Sequence, residues 1–132
     1  MTACAHTAEQ MQTIARENHN QSTPWLRDRG GRWFYVIAPM CGQRQCDVEH
    51  WRGRMQLYGS GNPASGSAAG CAIGYLVSRG VMAAGIRIHL RHGDEIGRAS
   101  DLFLRTDAGA TVANVRVASS TVSVATGQLF LP

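Results

Sequence analysis

The sequence contains no lysine, and all thirteen of its basic residues are arginines, against nine acidic residues. A nucleic-acid interface requires a basic stripe on one element together with stacking aromatic residues. The arginines are instead spread along the chain, and only the segment 27–35 combines several of them with aromatic side chains. We therefore expect no nucleic-acid partner. The net charge of +4 favours small anionic ligands.

The sequence also lacks a long apolar run. No stretch of about 18 apolar residues is present, so we expect no transmembrane helix. The first twelve residues contain neither a basic segment nor an apolar core of the kind found in secretory signal peptides. The expected location is the cytoplasm.

Cysteines are few, and their spacing is not that of a common metal site. In a protein without a secretory signal, the four cysteines are expected to be reduced thiols. Cys41, Cys46 and His50 are the nearest approach to a ligand cluster, but they match no common zinc pattern and have no evident fourth ligand. We expect neither a metal nor a cofactor.

The 132 residues are enough for one domain with a hydrophobic core. Apolar residues at helical spacing predict a short helix over Thr7–Asn18, and residues 18–24 resemble a turn that ends it. Residues 27–31 are predicted to form a second loop. Aromatic and β-branched residues predict a strand over Trp33–Ala38, and alternation predicts another over Val48–Tyr58.

Residues 59–80 differ from the rest of the chain in being rich in glycine, serine and alanine. The first part is predicted to be a loop, and residues 65–79 are predicted to form a helix that ends at Gly80. Because Ala68–Val77 contains no charged residue, we expect this helix to be buried on all sides.

After Gly80 the apolar residues alternate with polar ones, and turn residues separate the alternating runs. Short connections between such runs predict an antiparallel meander. The fold class is therefore α+β, with a curved antiparallel or mixed sheet wrapped around one central apolar helix and a short N-terminal helix in addition.

Two motifs in this order resemble the PhzF-like family, whose members carry EDPxTGSA before a central helix and QGxEMGRPS some twenty residues later. The chain has GNPASGSA at Gly61–Ala68 and HGDEIGRAS at His92–Ser100. Residues 121–129 are similar to the last hairpin of the family. The resemblance covers residues 47–131 and is weak over 1–30. It points to one lobe of a diaminopimelate-epimerase-like fold, the second lobe in particular.

The resemblance implies an isomerase that works without a cofactor, with its active site in a cleft between two lobes. This chain has one lobe, so a homodimer would be needed to rebuild the cleft around a small carboxylate. Asn62 and Gly61 stand where the family has Asp and Glu, and Ser65 stands close to the catalytic cysteine position of related epimerases. These departures keep open a non-catalytic binding or interaction module, and also a gene remnant.

The predicted anion site is the loop that leads into the helix, where backbone N–H groups and the helix dipole favour negative charge. An alternative is that Ser65 or Ser67 only caps the helix. As catalytic acid/base residues, His92, Asp94 and Glu95 are the candidates. The alternative for these three is that Glu95 pairs with Arg98 and that His92 is solvated. The predicted anion-binding residues are Ser60, Gly61, Asn62, Ser65, Gly66 and Ser67.

Overall fold

The computed structural model describes residues 2–4, 19–31, 33–40, 48–57, 60–62, 64–107, 109 and 112–131. Within this part of the chain there are two α-helices, one 3-10 helix and seven strands. None of the described helices is long and apolar enough to cross a lipid bilayer. In chain order the elements are β1 (Thr2–Cys4), α1 (His19–Asp28), β2 (Trp33–Pro39), β3 (Val48–Leu57), β4 (Ser60–Asn62), α2 (Gly66–Ser78), β5 (Arg87–His92), the 3-10 helix (Asp94–Ile96), β6 (Ser100–Arg105) and β7 (Arg116–Ser119).

The strands form one mixed sheet in the order β1-β2-β3-β5-β6-β7, with β4 as an extra strand beside β3. The pairs β2–β3, β5–β6 and β6–β7 are antiparallel, whereas β3 and β5 are parallel. A parallel pair needs a long crossover connection, and here α2 lies within that connection. The predicted antiparallel meander is confirmed for β5–β7, and the parallel seam makes the sheet a mixed one.

The core lies between one face of this sheet and α2. The helix contributes Ala68, Ala69, Ala72, Ile73 and Leu76, and burial of Ile73 and Leu76 stabilises the fold by about 1.5–3 kcal/mol each. The helix contacts both β2 and the distant strands β6 and β7. Those strands are several spacings of about 4.8 Å apart, so the sheet must curve around the helix. The predicted wrapping is confirmed. The sheet residues of the core are Tyr35, Ile37, Trp51, Met55, Ile88, Leu90, Leu102 and Leu104.

The two ends of α2 explain its length. Ser65 is the N-cap, and its hydroxyl accepts a hydrogen bond from the N–H of Ala68 at 3.3 Å. At the other end Gly80 has a φ of +67°. Its N–H donates to Val77, and the N–H of Val81 donates to Leu76, a Schellman arrangement that satisfies the last carbonyls. The predicted helix over 65–79 is confirmed.

The expectation that α2 is buried on all sides is wrong. Cys71, Tyr75 and Ser67 share the side of the helix that faces away from the sheet and are exposed, with Tyr75 45% accessible. The sheet covers one side of the helix only. The opposite side is open in the described part of the chain, and the guanidinium of Arg79 at the C-cap lies over the Tyr75 ring there.

The predicted turn over residues 18–24 is also wrong, because α1 covers His19–Asp28 with Pro24 inside it. Packing outweighs the proline. Trp25 stacks on Phe34 of β2 with ring centroids 5.9 Å apart, and Leu26 is buried. These contacts hold a helix where local turn residues predict its end. The predicted helix over Thr7–Asn18 lies outside the described residues.

The C-terminal segment does not complete the sheet. Residues 120–131 form no strand, although their alternating apolar residues predict a hairpin. Val122, Val124, Leu129, Phe130 and Leu131 are 81–93% exposed. A strand needs a hydrogen-bonded neighbour, and no described strand pairs with this segment. We call residues 120–131 the tail.

Candidate functional site

Part of the predicted anion-binding loop has regular secondary structure. Ser60–Asn62 is not loop but strand β4, which pairs with Met55–Leu57 at the end of β3. Ser65 serves as the N-cap, so the capping role foreseen for it is confirmed. Gly66 and Ser67 in the first turn of α2 are exposed, and no acidic side chain lies in that turn. Within this turn, therefore, no carboxylate neutralises the positive end of the helix dipole.

The strand register brings the two predicted motifs together. Asn62 of β4 lies opposite Met55, and His92 of β5 lies opposite Gly53. Both partners are in β3, two residues apart, which corresponds to roughly 7 Å along a strand. The end of β4 that leads to α2 and the end of β5 that leads to the 3-10 helix therefore meet on one side of β3.

Asp94 and Glu95 are held by arginines. The Nε of Arg91 donates to Asp94 at 3.0 Å, and a terminal nitrogen of Arg52 lies 3.4 Å from the same carboxylate. Glu95 lies 3.7 Å from Nε of Arg52, and among the described ion pairs none joins it to Arg98. The predicted Glu95–Arg98 pair is thus replaced by a contact to β3, because the turn carries Glu95 back toward the sheet. Paired carboxylates of this kind are poor candidates for a free base.

The sequence-based alternative that His92 is solvated is wrong. His92 is the last residue of β5, is 1% exposed, and stacks on Tyr35 with ring centroids 5.6 Å apart. Alternation along β5 places it on the core face with Ile88 and Leu90. Burial raises the pKa of the neighbouring Tyr35 hydroxyl well above its usual range. The three predicted acid/base residues are therefore divided between the core and the opposite side of the sheet.

The sheet face turned away from α2, which we call the outer face, carries a polar cluster absent from the predicted site. His50 of β3 lies opposite His89 of β5, and their Nδ1 atoms are 3.0 Å apart. Nε2 of His89 is 2.7 Å from the carboxylate of Asp101 in β6. Phe103 stacks on His89 with centroids 5.2 Å apart. The result is a connected chain Asp101–His89–His50 beside an aromatic wall.

Beside this cluster is an open pocket of about 450 Å³, which we call the outer-face pocket. The sequence alone shows that Arg87 and His89 share a strand face. It does not show that β3 and β5 are neighbours, so the pairing of His50 with His89 cannot be predicted from it. The residues that line the pocket include Val48, His50, Arg87, His89, Phe103, Arg105, Arg116 and Ala118.

Two of the three residues considered as metal ligands, Cys41 and Cys46, are not among the described residues. In the ranges given above, no group of three or more His, Cys, Asp or Glu side chains is arranged so that it could hold a metal ion. His50, the third member of the sequence cluster, contacts His89 instead.

No protein-family model matches the chain. No curated protein matches it in sequence either. Among solved structures, the chain is similar to the phenazine biosynthesis protein of the PhzF family from Bacillus anthracis, with a TM-score of 0.56 and 14% identity. The similarity covers 92% of this chain but 45% of that protein. The chain therefore has the fold of a PhzF-family structure and spans slightly less than half of its length.

Proposed function

We propose that the chain is a single binding lobe that dimerises and takes a small carboxylate at the N-terminus of α2. The exposed first turn at Gly66 and Ser67 carries this proposal. It offers backbone N–H groups and helix-dipole charge with no acidic residue to neutralise them. The convergence of β4 and β5 at the same side of β3 supplies the wall beside it.

The dimer is supported by the apolar surface that the lobe leaves open. The exposed side of α2 includes Tyr75 and Cys71, and a charge reaches it at the C-terminal end only, where the guanidinium of Arg79 lies over the Tyr75 ring. The tail adds five large apolar side chains that are almost fully exposed. Exposed apolar surface of this kind marks an interaction site. A second copy fits because the relative of the same fold is about twice as long, and the resemblance implies two lobes about one cleft.

Binding without turnover is the version that the geometry favours. Arg52 and Arg91 hold Asp94 and Glu95, and His92 is buried among core residues. A general base must reach the proton that it removes. A proton-transfer isomerase is the second candidate, favoured by the placement of His92 only two strand residues away from Asn62 along β3.

The anion site is tested with Ser67→Asp. A carboxylate in the first turn of α2 takes the place of the bound anion and interacts favourably with the dipole. We expect at least tenfold weaker binding of succinate by calorimetry, together with an unchanged or higher melting temperature. Ser67→Asn is the matched control, because asparagine has the size of aspartate without its charge. Equal succinate affinity in the wild type and in Ser67→Asp would reject the site.

The dimer is tested by sedimentation equilibrium of the full chain, whose monomer mass is 14.3 kDa. We expect about twice this mass, and a monomer for Val124→Asp because a charge then enters the apolar interface. Ile96→Asp changes an exposed apolar residue of the 3-10 helix and serves as the control. A wild-type monomer that still binds succinate would leave the binding lobe intact and reject the dimer.

Turnover is tested separately by proton exchange. Incubation of small α-hydroxy and α-amino carboxylates with the protein in D₂O would show deuterium at the α-carbon if the chain transferred that proton. We expect no incorporation above the rate without protein. Incorporation that is lost in His92→Asn would establish the isomerase instead.

A further inference from the structure

The outer-face pocket has a charge arrangement that works against folding. The register places Arg87 opposite Arg105, and Arg105 opposite Arg116, so three guanidinium groups form one row across β5, β6 and β7. Like charges directly opposite each other on neighbouring strands destabilise a sheet. We call these three residues the arginine row. A bound anion would reduce the repulsion between these three side chains.

One end of the arginine row is partly neutralised. Asp107 forms a hydrogen-bonded ion pair with Arg116, and Nδ2 of Asn114 donates to its other oxygen at 2.6 Å. These bonds hold the pKa of Asp107 below its ordinary value. The pair fixes the direction of the Arg116 side chain. Arg105, in the middle of the row, takes part in none of the ion pairs found among the described residues.

For neutral imidazole rings, the hydrogen bonds of the histidine chain run in one direction. An ionised Asp101 only accepts, so Nε2 of His89 donates to it. With both rings neutral, Nδ1 of His89 then accepts from Nδ1–H of His50. This leaves Nε2 of His50 with a lone pair. The chain thus ends in a hydrogen-bond acceptor on a residue that lines the pocket.

We propose that the outer-face pocket is a second small-molecule site, which binds a phosphate or carboxylate group on the arginine row and a hydrogen-bond donor of the same ligand at His50. Phe103, 48% exposed and stacked on His89, supplies an apolar wall for the rest of the ligand. The volume of about 450 Å³ lies within the usual range for small-molecule sites. This site is on the opposite side of the sheet from α2 and does not depend on the anion site proposed there.

A small ligand fits the pocket better than a nucleic acid does. Acidic residues flank the arginine row and the histidine chain, namely Asp101 and Asp107, and Asp94 lies near Arg91 on the same side. They limit the positive field to the pocket itself. A strand of nucleic acid requires a longer basic track and several stacking platforms. Phe103 is the only Phe, Tyr or Trp side chain among the described residues that line the pocket.

The test is an NMR titration of the full-length chain with phenyl phosphate, and with benzoate as the carboxylate arm. We expect saturable shifts of the backbone amides of Arg87–His89 and Leu102–Arg105. Arg105→Gln is expected to weaken binding at least tenfold and to leave the melting temperature equal or higher, because it removes like-charge repulsion. Arg98→Gln removes the same charge from an exposed residue outside the pocket and is expected to change affinity less than twofold.

Three results would overturn the proposal. The first is the absence of saturable shifts at these amides in the wild type, a result that needs no variant. A second is an equal loss of affinity in Arg105→Gln and Arg98→Gln, which would indicate general charge attraction. The third is a single-stranded oligonucleotide that binds more tightly than phenyl phosphate and displaces it, which would make this face a nucleic-acid surface.

Discussion

The hydroxyl of Tyr35 lies in the core, close to Gly53 and stacked near the ring of His92. A methyl group built on Gly53 would come within 2.9 Å of this oxygen. Among the described residues the oxygen has no hydrogen-bond partner, although it is buried. A buried hydroxyl that has lost its water without gaining a partner costs free energy. An apolar side chain of the same shape at position 35 would therefore give a more stable core than Tyr35 does.

Tyr35→Phe is predicted to raise the free energy of unfolding by about 1 kcal/mol, because it removes the unsatisfied oxygen and keeps the ring stacked on His92. Urea unfolding followed by circular dichroism measures the change. Tyr75→Phe alters a half-exposed ring on α2 and should leave the value within about 0.5 kcal/mol. Destabilisation by Tyr35→Phe would show that the hydroxyl has a partner after all.

Alkaline pH is predicted to destabilise the wild type more than Tyr35→Phe. Burial raises the pKa of Tyr35 in the folded state, so the unfolded state releases this proton first. The contribution to stability is present below the unfolded pKa of about 10 and is lost as the pH rises above it. Unfolding in urea between pH 8 and 11 tests this. Parallel stability curves for the two proteins would contradict it.

Helix α2 and strand β7 depend on each other through glycines at a four-residue spacing. Gly66 and Gly70 turn one side of the helix toward Val117, and Gly74 faces Val112. A Cβ at position 70 would be 3.4 Å from a methyl carbon of Val117, which is ordinary contact. The absence of side chains at these positions lets the strand that contains Val117 lie against the helix. The small residues of α2 therefore do not indicate burial on all sides. They allow one segment, which contains Val112 and Val117, to pack closely against the helix.

Gly70→Ala is predicted to stabilise the chain by roughly 0.5–1 kcal/mol, because alanine favours the helix and its methyl group fits. Gly70→Leu is predicted to destabilise it by about 1–3 kcal/mol, since a larger side chain must displace Val117. Hydrogen exchange of the Arg116–Ser119 amides should become faster in Gly70→Leu and stay unchanged in Gly70→Ala. Equal exchange in both variants would show that β7 does not rest on this side of the helix.

For the molecule as a whole, local pattern predicts elements better than it predicts their neighbours. Alternation places Ile88 and Leu90 on the core face correctly, and the uncharged run Ala68–Val77 locates α2. The parallel pairing of β3 with β5 depends on packing across a long connection, which periodicity does not encode. For the same reason, the sequence does not predict the pairing of His50 with His89, nor the outer-face pocket beside it.

The placement of the tail shows a second reason why the sequence is insufficient. Val122 and Val124 alternate as strand residues do, yet a strand forms only where an edge is available to pair with it. Alternation therefore predicts the potential to pair and does not name the partner. In α1 the local residues predict a turn, but the chain is helical. The tertiary contacts of Trp25 and Leu26 stabilise the helix there.

Truncation after Thr121 is predicted to leave the fold intact and to abolish association. The large apolar side chains removed are 81–93% exposed, so their loss should change the free energy of unfolding of the monomer by less than about 0.5 kcal/mol. Urea unfolding of the truncated chain at low concentration, and sedimentation at high concentration, measure the two effects. A loss of more than about 2 kcal/mol at low concentration would place the tail inside the fold.

Strand β3 has β2 on one side, and on its other side it is shared by β5 and β4. During synthesis, β3 is complete about thirty residues before β5 begins. At about 5–20 residues per second, this edge of β3 stays open for roughly 2–6 s, and an open edge recruits strands from other chains. Strand β4 shields only Met55–Leu57 in that interval. Slow codons placed after Asn62 are thus expected to lower the yield of folded protein, whereas slow codons after Arg105 are not.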